Sequence, residues 1–159
     1  MRTWTPGGNR LLKSIGSAND PMALDWVDNA PQELSVVHFS KRPASIRIGD
    51  VFVYYAAVHQ KICGIVQVFS KPEYDAQLEH WQYFCQIRPK LIIKDFDRAP
   101  SIDTLNVEGG RSFRRVVQQM DYALLEDAEY DRALNALESA FDASRGDIRD
   151  PHFNEANAA

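Results

Sequence analysis

Residues 51–58, "VFVYYAAV", are apolar on both alternating faces, the pattern of a strand covered on both sides. After the break "HQK", residues 62–70, "ICGIVQVFS", repeat it, which predicts an antiparallel hairpin. Gly64 inside the second run marks a bend or a close backbone approach. "LSVVHFS" (34–40) predicts an earlier strand and "HWQYFCQIR" (80–88) a later one. Pro89 then precedes "KLIIK" (90–94), which reads as the continuation of one bent strand or as a second strand.

Helical spacing appears elsewhere. Tyr130, Ala133, Leu134, Leu137 and Phe141 fall on one stripe, with Asp127 as a cap and Gly146 beyond the end. "NDPMALDWVDNAP" predicts a short helix with Asp20 as its cap, Pro21 in its first turn and Pro31 at its end. A further short helix opens near Ser112. About five short strands with helices at their edges define an α+β chain, a small mixed, mostly antiparallel β-barrel with flanking helices. No repeat or linker divides the 159 residues, so one domain over 1–159 is expected.

Composition narrows the setting. The longest uncharged apolar runs are about eight residues, too short to span a bilayer, and "MRTWTPGGNR" lacks the apolar core of a signal peptide. Two cysteines, Cys63 and Cys85, do not make a disulfide framework, so a cytoplasmic protein is expected, with no membrane partner. Net charge is −4, unevenly spread. Residues 121–159 carry ten acidic side chains against three basic, and residues 1–120 fifteen basic against twelve acidic. The body, at +3, permits a polyanion as partner.

No phosphate loop, HExxH, CxxC or GxSxG motif is present. The histidines at 38, 59, 80 and 152 lack metal-ligand spacing, so no metal and no cofactor is expected. Aromatic residues offer more. Trp4, Trp26, Trp81, Phe39, Tyr54 and Tyr55 fall around the strands and their ends, where flat rings either pack a core or stack on a planar ligand. "GGRSFRR" sets Arg111, Arg114 and Arg115 near a helix start, as an anion grip or a solvated basic turn.

The ordered set "RIGDVFVYY", "GIVQVFSKPEYD", "QIRPKLII", "GGRSFRR" and "EYDRALNAL" resembles an EVE domain of the PUA-like superfamily, a relative of the YTH modified-RNA readers. The match runs over 46–138. For the first strand two registers compete: "RTWTPGG", with Trp4 in the strand, or "RLLKSIG", with Lys13 and Ser14 at its end. The resemblance implies a non-catalytic module that binds DNA or RNA and holds a modified nucleobase, such as a methylated one, flipped into an aromatic pocket. On that reading Tyr54 or Tyr55, Trp4 or Trp26, and Phe39 are walls. Ser14, Arg111 and Ser112 make polar contacts, and Lys41, Arg42, Arg114 and Arg115 hold phosphates.

Two rivals stand beside it. PUA-like relatives such as ASCH domains include hydrolases of modified nucleosides, and a pocket joining Lys13, Ser14 and Glu33 would favour that chemistry. A small-molecule or protein-interaction module with a closed barrel mouth is the other.

Overall fold

A computed structural model describes residues 8–17, 19–29, 31–119 and 121–153. Eight strands form one curled sheet: β1 (Arg10–Ile15), β2 (Val36–Phe39), β3 (Val51–Ala56), β4 (Lys61–Val68), β5 (Glu73–Tyr74), β6 (Tyr83–Ile92), β7 (Tyr122–Leu124) and β8 (Ile148–Arg149). The main path runs β2-β6-β4-β3-β1-β7, with β5 and β8 also paired to β6. Only β1 and β3 run parallel; the other pairs are antiparallel. Among the described residues three α-helices flank it: α1 (Trp26–Asn29), α2 (Phe113–Gln119) and α3 (Asp127–Ala140).

The both-face apolarity of 51–58 has a direct cause. Alternation sends Val51, Val53 and Tyr55 to a core shared with Phe113 of α2 and Tyr130, Ala133 and Leu137 of α3. Phe52, Tyr54 and Ala56 point the other way, into the interior of the curl with Leu11, Trp26, Phe39 and both cysteines. The outermost strands of the path, β2 and β7, meet there through rings. Phe39 and Tyr122 pack edge to face, centroids 5.4 Å apart at 82°. The half-barrel is thus drawn closed by side chains across its open edge.

The hairpin 51–58/62–70 forms as β3–β4, with a register shift beside Tyr54 and Tyr55. Gly64 marks a close approach: a Cβ there would stand 2.6 Å from Ile92 Cδ1 and 3.0 Å from the Leu91 carbonyl. Of the two readings around Pro89, a single strand is found. Pro89 lies inside β6 opposite Val66, where the β4–β6 register shifts, so its missing N–H falls at an irregularity.

Two helix starts differ from the sequence pattern. The cap of α3 is Glu126, one residue before Asp127, and the Glu126 N–H donates to the Glu129 carboxylate at 2.7 Å. The helix expected from Asp20 and Pro21 begins only at Trp26. Asp20 instead closes a turn with Ser17, their N–H groups bonding each other's carbonyls at 3.0 and 3.2 Å. Residues 20–23 are non-helical and form part of the wall of a cavity.

Candidate functional site

β1 decides where that cavity lies. Of the two competing registers, "RLLKSIG" forms the strand, and Trp4 lies outside the described residues. Gly16 ends the strand at φ +72°, and a Cβ on it would meet the Met22 backbone nitrogen at 2.9 Å. The chain can therefore fold back tightly, and Ser17 and residues 20–23 become one wall. Val37 and His38 of β2 supply another, Leu78 to Trp81 a third, and Glu33 reaches in from the 3-10 turn Pro31–Leu34. They enclose about 510 Å³, within the usual range for small-ligand sites of about 300–1,000 Å³.

Lys13 is the buried cation at this end, only 3% exposed. A buried ammonium requires an acceptor. Its Nζ donates to Asp121 Oδ1 at 2.8 Å and to the Ser14 carbonyl at 2.9 Å. It also lies 5.2 Å from the Trp81 ring centroid and 5.7 Å from that of Phe39, within cation–π range. Trp81 is 44% exposed. It adopts φ +58°, a left-handed conformation that bulky residues rarely take. His38 Nδ1 stands 3.3 Å from the Trp81 carbonyl. Since a carbonyl only accepts, that nitrogen carries the proton. Burial, and then the Lys13 charge, lower the His38 pKa against the raising effect of this bond.

Glu33 also lines the site. Burial raises its carboxyl pKa, Asp20 adds to the rise, and the Lys13 charge opposes it. The Glu33 backbone is tied down by the Tyr54 hydroxyl, which donates to its carbonyl at 2.9 Å.

The residues expected from sequence are dispersed. Ser14 lines the cavity, and so do Lys13 and Glu33 of the hydrolytic alternative. Trp26 is fully buried, stacked on Phe96, which in turn stacks on His59, and its Nε1 donates to the Lys94 carbonyl at 3.0 Å. Phe39 and Tyr54 are fully buried beneath the cavity, and Tyr55 faces the helices on the opposite side of the sheet. None of these four lines the cavity, because the interior of the curl and the helix-covered core take their rings.

The basic residues are spread likewise. Arg111 pairs with Glu129 through both carboxylate oxygens, at 3.0 and 3.1 Å, and bonds the Leu124 carbonyl. Ser112 is exposed ahead of α2, its carbonyl accepting from the Arg115 and Val116 N–H groups at 3.2 Å. Arg114 forks onto Asp103, 2.8 Å to each oxygen, and bonds Gln60. Lys41, Arg42 and Arg115 are exposed.

Trp81 and His38 complete the site without having been singled out for it. "HWQYF" reads as strand, yet β6 begins only at Tyr83 and leaves Trp81 in a loop. Its one local signal is the polar "EH" and "Q" around a lone tryptophan. Among the described residues no group of three His, Cys, Asp or Glu is placed to hold a metal, and no helix is long and apolar enough to cross a membrane.

No protein-family model and no curated protein matches this sequence. Solved structures do. Protein Atu2648 from Agrobacterium tumefaciens is similar with a TM-score of 0.51 at 16% identity, over 84% of this chain and 93% of that one. Human THYN1, solved in complex with DNA containing 5-methylcytosine, gives 0.54 at 12% identity, over 82% and 98%. The YTH domain of Zygosaccharomyces rouxii MRB1, in complex with N6-methyladenosine RNA, gives 0.50 at 11% identity, over 84% and 90%. The chain has the PUA-like fold of the EVE and YTH domains.

Proposed function

We propose that this chain is a nucleic-acid-binding module that holds a modified base, such as a methylated one, in the cavity between the end of β1 and the 78–81 segment. The supporting observation is Trp81: a half-exposed indole at the rim of a cavity whose lining mixes apolar side chains with Lys13, Ser14, Glu33 and His38. A flipped base needs a flat face to stack on and a few polar groups at its edge. Stacking returns about 1–3 kcal/mol per base, comparable to the cost of unstacking. THYN1 and the MRB1 YTH domain were solved with a methylated base in DNA and in RNA respectively, on this same fold. Ser14 and Lys13 supply polar groups, and Lys41, Arg42 and Arg115 grip phosphates without reading sequence. Arg114 joins them only by giving up its fork with Asp103.

Titration of labelled oligonucleotides differing by one methylated base tests this reading. Preference for the modified strand should vanish in Trp81→Ala, and affinity should fall with salt on a shallow slope because few cations reach phosphates. Equal binding of modified and unmodified strands at every salt concentration would overturn it.

The convergence of Lys13, Ser14 and Glu33 favours a second reading, hydrolysis of a modified nucleoside. Lys13 is the donor in both of its bonds, so it would supply charge, and Glu33 would have to act as the base for Ser14. Turnover of acylated nucleosides that is lost in Ser14→Ala would support this reading, and none under any condition would exclude it.

A further inference from the structure

The Glu33 carboxyl is the unusual group of the cavity. It is half-buried in the cavity wall, and it accepts no hydrogen bond from any described residue. Lys13, within electrostatic reach, has its Nζ bonded to Asp121 and Ser14. The Tyr54–Glu33 bond fixes the backbone and leaves the side chain turned to the cavity it lines. A half-buried carboxyl that no neighbour bonds is left to water at the cavity wall, and a ligand that fills the cavity must supply a donor in its place.

Resting on the base-holding reading, we infer that Glu33 is the acceptor for the edge of the held base, and that it selects bases carrying an exocyclic amino group. Cytosine presents N4–H and adenine N6–H as donors. A single methyl on adenine N6 leaves one N–H in place. Thymine carries the same ring methyl as 5-methylcytosine but a carbonyl where the amine would be. Facing a carboxylate, that carbonyl sets acceptor against acceptor. The Lys13 ammonium has three N–H donors, of which two are bonded, so the third can meet the ring carbonyl of cytosine. Donor and acceptor thus stand together in the site, complementary to the amino and carbonyl ends of one cytosine edge. The methyl contributes little area, so the edge carries the discrimination.

The experiment compares four labelled oligonucleotides, identical except for 5-methylcytosine, cytosine, thymine or N6-methyladenine at one position. The wild-type protein should bind 5-methylcytosine over thymine by about tenfold or more, the difference that one matched polar pair makes. Glu33→Gln should shrink that ratio to about twofold or less, since a carboxamide can turn its NH2 towards the thymine carbonyl. Glu33→Asp keeps the charge one methylene short, and should weaken all binding while keeping the order. It also covers the case in which Glu33→Gln fails to fold. A ratio unchanged in Glu33→Gln, or equal wild-type affinity for 5-methylcytosine and thymine, would overturn the assignment. If 5-methylcytosine still outbinds cytosine and Trp81→Ala removes that preference, the base-holding reading survives without Glu33. No preference among the four strands overturns both.

Discussion

Trp26 and Trp81 are the same residue put to opposite uses. Trp26 opens α1 and is fully buried, stacked in line with Phe96 and bonded through its indole N–H to Lys94. Trp81 stands in a loop at φ +58°, half exposed over a buried ammonium. The first ring has its apolar area and its polar handle satisfied within the chain, so nothing remains for a ligand. The second keeps a face in solvent and a strained backbone, features that gather at functional sites. Phe39, Phe52 and Tyr54 on their strands fill the core as Trp26 does on its helix, whereas Trp81 on its loop lines the cavity.

The largest effect that could break this comparison is on stability. Trp26→Ala should cost about 3–5 kcal/mol in denaturant unfolding, the usual range for a buried aromatic. Trp81→Ala should cost less than about 1 kcal/mol, the size of an exposed cation–π contact. Similar losses in both would erase the distinction.

Binding should show the reverse order. Trp81→Ala should lower affinity for a modified strand by about 1–3 kcal/mol, whereas Arg115→Ala should weaken all strands by a small, equal factor. Titrations at two salt concentrations separate the two.

Thiol labelling sharpens the contrast. Cys63 and Cys85 lie in the same interior cluster as Trp26, and burial raises both thiols, that of Cys85 to about 12. At pH 8 neither should react in the wild-type protein or in Trp81→Ala. Faster labelling in Trp26→Ala would place its effect on the interior of the curl.

The smallest expected effect is on the pH profile. Glu33 has a raised pKa in the folded state, chiefly from burial. The fold therefore favours its protonated form, and this contribution is lost as pH rises through the folded value. Glu33→Gln should be slightly more stable than wild type at pH 7, with the gain disappearing below about pH 4. Thermal melts across that range check the sign. A gain that grew towards low pH would contradict it.

Much of the architecture was legible without coordinates. The hairpin, the strand at 34–40, the helical stripe from Tyr130 to Phe141 and the close approach at Gly64 all follow from periodicity and residue size. These are local properties, set by neighbours two to four positions away. The caps were less legible. Asp127 is a good cap by type, but Glu126 holds the position because Glu129, fixed by Arg111, bonds its N–H.

The cavity belongs to another level. Its walls come from residues 13–17 and 20–23, Glu33, Val37, His38, Leu78, His80 and Trp81, segments that the curled sheet brings together. Which face of β3 looks inward is not written in a strand that is apolar on both sides. The packing of α3 over Val53 and Tyr55 decides it, and so consigns Tyr54 to the interior. The left-handed backbone at Trp81 likewise depends on tertiary contacts, His38 on its carbonyl and Lys13 beneath its ring. By itself the sequence determined the elements and a fold to hold them. Which rings became core, and which one met the cavity, waited on long-range packing, because a side chain's direction is settled by what covers it.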